Sequence, residues 1–153
     1  MPSTLIPYYT LSAIVRTLAT LAFAILLSGC SRQKIIGPDD LRSQLTAAIS
    51  LASETETFLD YLSQHRSTFN FAAGHMAYLS QTAAQAAKEL HQSTPTYSIA
   101  QQFSQCRQQL DALASQLAAL QQEVAVGQTP AVAIRKDQLA QLRHSLEQLK
   151  AGL

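Results

Sequence analysis

Ile99, Phe103, Cys106, Leu110, Leu113, Leu117, Leu120 and Val124 follow one another at strict alternating steps of four and three residues. An α-helix turns once every ~3.6 residues, so this spacing puts all eight side chains on one stripe that drifts slowly around the axis. Such a stripe stays buried along its whole length when the helix supercoils left-handedly about a neighbour. The chain is thereby constrained to helix-on-helix packing.

Three further segments carry the same rhythm. Gly37-Pro38-Asp39-Asp40 opens a first helix, with proline in the first turn and carboxylates at the positive end of the dipole. Its stripe runs Leu41, Leu45, Ala48, Ala52, Thr55, Leu59 and Leu62 and ends near His65-Arg66. A second helix is expected over residues 71–91, with Ala72, Met76, Leu79, Ala83, Ala86 and Leu90 inward. The loop Gln92-Ser93-Thr94-Pro95-Thr96 separates it from the third helix. Gly127 ends that third helix, and Thr129-Pro130 reads as an N-cap followed by proline at the first helical position. The fourth helix places Leu139, Leu142, Leu146, Leu149 and Leu153 on one face. Short connections favour antiparallel neighbours, so the expected fold is all-α: an up-down-up-down four-helix bundle with heptad-like packing. A sustained heptad also suits a coiled-coil oligomer, which keeps self-association through helices three and four open.

What precedes the bundle has a different character. Arg16 is followed by an uncharged, mainly apolar run, Thr17-Leu18-Ala19-Thr20-Leu21-Ala22-Phe23-Ala24-Ile25-Leu26-Leu27, and then by Leu27-Ser28-Gly29-Cys30 at the point where the chain turns polar. Residues 17–29 number 13, roughly 20 Å of helix against a hydrocarbon core of ~30 Å, too short to span. Lengthening the span backwards through Leu11-Ser12-Ala13-Ile14-Val15 reaches the length but buries Arg16, at a cost of about 2.5 kcal/mol or more, and an uncleaved amino-terminal anchor is the alternative to a secretory signal. Residues 1–15 hold no Lys or Arg and include Pro2 and Pro7; translation beginning at Val15 would give a short basic head directly before the apolar run.

Leu27-Ser28-Gly29-Cys30 resembles the lipobox of bacterial lipoproteins. The resemblance, confined to the first 30 residues, implies that a diacylglyceryl group is joined to the Cys30 thiol, that the chain is cut before Cys30 with Leu27, Ser28 and Gly29 directing the cut, and that the new amino terminus is acylated. It also implies a membrane-anchored, periplasm-facing protein, with Ser31 favouring the outer over the inner membrane in a Gram-negative host. The expected organisation is a signal peptide over residues 1–29, a lipidated tether over 30–37 and a helical domain over 38–153.

Cleavage removes one charge, Arg16, from 11 basic and 10 acidic residues, so the mature domain is about neutral and offers no basic face to nucleic acid. Of the two cysteines, lipidation takes Cys30 and leaves Cys106 without a partner in the chain. Cys106 lies on the stripe between Phe103 and Leu110, where a thiol behaves as a small hydrophobe. His65, His75, His91 and His144 invite comparison with haem- and metal-binding bundles. His75 and Met76 are adjacent, so they diverge by ~100° around the helix and cannot lie trans on one iron. No C-x-x-C-H or E-x-x-H occurs, and His144 with Glu147 has the spacing of a surface pair.

Glu54, Glu56 and Asp60 form an acidic cluster in the first helix, read either as a solvated face or as a patch for a basic partner. Phe58, Tyr61, Phe69, Phe71 and Tyr78 gather near the first connection and read mainly as core or loop packing; exposed together, they would mark a contact site. G-x-S-x-G, glycine-rich phosphate loops and H-E-x-x-H are all absent from the sequence, so no enzyme and no cofactor is expected. The resulting expectation is a noncatalytic, lipid-anchored helical accessory that meets the membrane through Cys30 and binds an unidentified envelope protein. The alternative is a bundle holding haem, metal or a small ligand through His75, Met76 or His144.

Overall fold

The computed structural model describes residues 34–128 and 130–153, which belong to one compact unit. Arg16, the residues of the lipobox, Ser31 and Thr129 lie outside the described residues. The elements, in order, are β1 (Lys34–Ile36), α1 (Pro38–Ser63), α2 (Phe69–His91), β2 (Ser93–Pro95), a 3₁₀ turn (Tyr97–Ile99), α3 (Ala100–Ala125) and α4 (Val132–Ala151). The fold is thus mostly helical, with four helices packed on one another.

Most of the expected stripe residues are buried, but on α2 Ala87 is buried where Ala86 is expected, Ala86 being only partly covered, and Leu62 at the end of α1 is likewise only partly buried. In α3, Phe103, Cys106, Leu110, Leu113, Leu117, Leu120 and Val124 are buried, most of them completely. In α1, Leu41 to Leu59 are buried at the expected spacing, and Thr55 is tolerated because its hydroxyl donates to the Leu51 carbonyl at 2.8 Å. Each fully buried Leu contributes about 1.5–3 kcal/mol relative to an exposed one, so the stripes of α3 and α1, with Leu110, Leu113, Leu117 and Leu120 on one and Leu41, Leu45 and Leu59 on the other, carry much of the core energetics. Leu139 and Leu146 anchor α4, with Leu142, Leu149 and Leu153 packed at the edge.

The closest helix pairs are α2 with α3 and α1 with α4; α1 and α2, although consecutive, touch only lightly. Residues 64–68 between them make a tight turn, with His65 in the left-handed region at φ 54 and the Arg66 amide donating to the Tyr61 carbonyl at 3.1 Å. The Thr68 hydroxyl then caps α2 by accepting from the Phe71 amide at 3.4 Å, which starts that helix at Phe69 rather than at Phe71. Gly127, at φ +73, terminates α3 as expected.

Two local expectations are corrected. Pro130 does not open α4: the helix begins at Val132 with Ala131 at its cap, and the first intrahelical bond is from the Arg135 amide to the Ala131 carbonyl. Residues 34–36, read as part of a polar tether, instead form a strand parallel to β2, in register Lys34 with Ser93, Ile35 with Thr94 and Ile36 with Pro95. Parallel pairing requires a long crossover, which α1 and α2 together supply. Ile36 is only 2 % exposed, so burial of one β-branched side chain pulls this segment onto the fold.

Candidate functional site

A second row of side chains runs beside the core stripe on both α1 and α2. Phe58 and Tyr61 each precede a stripe residue by one position, as do Phe71, His75 and Tyr78 on α2. One residue is ~100° of helix, so these rows flank the core instead of filling it. Because α1 and α2 are only lightly packed, the two rows face each other across an open groove of about 580 Å³, lined by Glu54, Thr57, Phe58, Tyr61, Arg66, Ser67, Phe71 and His75.

The groove floor is aromatic. His75 stands edge-on to Phe58 at 4.4 Å and stacks nearly parallel to Phe71 at 5.7 Å, with Tyr78 6.1 Å away on its other side. Its Nε2 lies 3.4 Å from Glu54 Oε1, joining the two helices across the groove. Phe58 is buried, but Tyr61, Phe69, Phe71 and Tyr78 are each half or more exposed. The expectation that these rings serve mainly as core or loop packing is therefore corrected, and they form an exposed aromatic surface instead. The position-minus-one offset is the sequence signal that could have found it. The contributions of Arg66 and Ser67 depend on the turn at His65 and carry no such signal.

Of the acidic cluster, only Glu54 faces this groove. Asp60 accepts from Lys136 Nζ at 2.7 and 2.8 Å, and Glu56 accepts from Arg143 Nε at 3.0 Å. The basic partner of those two acids is α4 of the same chain. Hydrogen bonds to Glu56 and Glu147 raise the Arg143 pKa further above its ordinary value.

The remaining titratable candidates are scattered. His65 forms the turn, His91 meets the Asp111 carboxylate at 2.9 and 3.0 Å between α2 and α3, and His144 pairs with Gln148 along α4. Met76 is fully buried while His75 lines the groove, so the structure does not bring His75, Met76 and His144 together. Among the described residues no three His, Cys, Asp or Glu side chains are grouped as metal ligands. Burial pushes the Cys106 thiol up to about 12 from 9.0, which keeps it protonated and unreactive.

No described helix is long and apolar enough to cross a membrane. The chain matches no protein-family model, no curated protein and no solved structure.

Proposed function

We propose that the protein is a lipid-anchored component of the bacterial cell envelope that binds another envelope protein through the α1–α2 groove, without catalysis. One observation carries the binding role: exposed Tyr61 and Phe71 line, with His75, a groove between two consecutive helices that are only lightly packed, and exposed Tyr78 extends the aromatic surface beside it. Rigid aromatic side chains bring large contact area at low entropic cost, and they are enriched where proteins meet. The address rests on Leu27-Ser28-Gly29-Cys30, with the lipid on Cys30 and the domain on the periplasmic side, at the outer membrane in a Gram-negative host.

The architecture proposed for this role is an antiparallel up-down-up-down bundle with heptad packing. Its support is the order of the interhelical pairs: from Asp60 to Glu56 along α1 the partners advance from Lys136 to Arg143 along α4, and Glu123 near the end of α3 pairs with Arg135 near the start of α4. Burial of the α3 stripe within a single chain favours its use inside the bundle over self-association of α3 and α4.

A second reading, a small ligand in the same groove, is favoured by a volume inside the usual range of ~300–1,000 Å³ for such sites. Two experiments separate these ideas. Mass spectrometry of the membrane fraction is expected to find a mature chain beginning at diacylated Cys30, absent from Cys30→Ala. A photoreactive phenylalanine analogue at position 71 is expected to give a discrete protein adduct in cells, and the same analogue at the exposed Ile134 of α4 none. Adducts of equal yield from both positions would remove the groove as the binding site.

A further inference from the structure

The bundle has two chemically different ends. At the end opposite the α1–α2 turn, β1 pairs with β2, and the 3₁₀ turn follows directly, its preceding Thr96 amide donating to the Ile36 carbonyl at 3.0 Å. Side chains alternate across a strand, so burial of Ile36 forces Ile35 outward, where it is 69 % exposed. Tyr97, just beyond β2, is 99 % exposed and touches almost nothing of its own chain. A β-branched aliphatic on β1 and a full tyrosine ring in the adjoining 3₁₀ turn are thus both exposed at this end of the bundle, with Lys34 also exposed. The neighbouring acids are engaged locally: Asp39 holds Arg42 at 3.3 Å, and Asp40 accepts from the Gly37 amide at 3.5 Å.

Chain length decides what this end meets. Cys30 precedes Lys34 by four residues, which span at most about 14 Å fully extended. Because β1 is fixed in the fold, a lipid on Cys30 holds the sheet within that distance of the bilayer surface. We propose that the β1–β2 end lies against the phospholipid surface, with Ile35 and Tyr97 entering the headgroup region and Lys34 at its edge. Tyrosine is suited to that depth, its ring apolar and its hydroxyl wet, and a short aliphatic neighbour adds apolar area. The groove is then displayed away from the membrane: Pro38 and Phe58 are 20 residues apart on α1, ~30 Å of helix. This orientation rests on the lipoprotein reading above.

The chain contains no tryptophan, so a single introduced indole reports its own depth. Tyr97→Trp and Tyr78→Trp variants of the full-length chain are expressed, and the processed protein is reconstituted into phosphatidylethanolamine–phosphatidylglycerol vesicles with brominated acyl chains. Intact mass reports the lipid on Cys30. The expected result is blue-shifted emission at position 97, strongly quenched by the brominated chains, against water-like and unquenched emission at position 78. Adding Ile35→Asp to Tyr97→Trp reduces the quenching while the lipid mass and flotation with vesicles persist. Lipidated, vesicle-bound protein whose indole at position 97 remains unquenched, or is quenched no more than the one at position 78, overturns the orientation and leaves the anchor standing. A chain with no lipid mass that fails to float removes the anchor, and the orientation with it.

Discussion

Lys136 on α4 donates to both carboxylate oxygens of Asp60 on α1, at 2.7 and 2.8 Å, joining positions 76 apart in the chain. One helical turn away, Arg143 Nε reaches Glu56 at 3.0 Å, so the acidic face of α1 is closed by the basic face of α4. The side chains of Lys136 and Asp60 remain about one-third and one-half exposed, which limits what the pair contributes. A double-mutant cycle over Asp60→Asn and Lys136→Met is expected to give a coupling of about 0.5 kcal/mol in urea unfolding at low salt. The coupling should shrink in 1 M NaCl, where the screening length is ~3 Å. A coupling that ignores salt would mean that the pair acts through packing.

The groove predicts a dissociation of stability from binding. Phe58 is buried on its floor and Phe71 is exposed on its wall, with ring centroids 6.1 Å apart. Phe58→Ala should destabilise the domain by about 3 kcal/mol through the cavity it leaves, whereas Phe71→Ala should stay within ~0.5 kcal/mol of wild type. Urea midpoints at constant m-value test this directly. A loss of several kcal/mol from Phe71→Ala would make the ring a structural element instead of a contact surface.

The strand β1 makes a similar contrast over adjacent residues. Ile36→Ala should cost about 2–4 kcal/mol, because a side chain 2 % exposed is truncated, and Ile35→Ala should cost less than ~0.5 kcal/mol because 69 % of it is in solvent. Equal effects would mean that the strand pair is not held through one face.

Helices α1 to α4 were legible because each repeats its apolar residues often enough to outweigh local ambiguity, the α3 stripe most of all. What escaped was set by tertiary contact. Three residues, Lys34-Ile35-Ile36, are too few to show a period, and their partner Ser93-Thr94-Pro95 reads as loop chemistry, since proline and serine are poor strand formers. The start of α4 was misplaced because Pro130 satisfies a rule of helix beginnings that Ala131 and Val132 satisfy in the structure without a side-chain cap. The aromatic rows at 58, 61, 71, 75 and 78 were visible as composition, but their exposure depends on how far α1 stands from α2. That distance belongs to the packing of α1 on α4 and α2 on α3, which no local pattern encodes.

His65 and Gly127 both use left-handed backbone, at φ 54 and φ 73, and both follow a long helix. Only glycine adopts that region without strain, the penalty for other residues being about 1 kcal/mol. His65→Gly should therefore stabilise the α1–α2 turn by up to ~1 kcal/mol, and Gly127→Ala should destabilise by a similar amount. Space is not the obstacle at Gly127, where an added Cβ would meet only the Phe69 ring edge at 4.0 Å. Thermal unfolding of the two single variants, with opposite signs of shift, checks the assignment.

Cys106 offers a test of burial that needs no partner. In the fold its thiol is pushed up to about 12, whereas in the unfolded chain it ionises near the ordinary 9.0. A raised folded-state pKa means that the stabilising difference is complete below pH 9 and is lost as pH rises toward 12. In that window the unfolded chain has released the proton and the folded one has kept it. Stability from this group should fall by about 1.4 kcal/mol per pH unit across the window. Lysines and tyrosines titrate there as well, so the comparison is with Cys106→Ala. The variant is expected to be less stable at pH 7, from the sulfur it lacks, and to lose less stability than wild type between pH 8.5 and 10.5. Parallel pH profiles for the two proteins would mean that the thiol is solvated in the native state, and Cys106 could then no longer be placed in a dry core between Phe103 and Leu110.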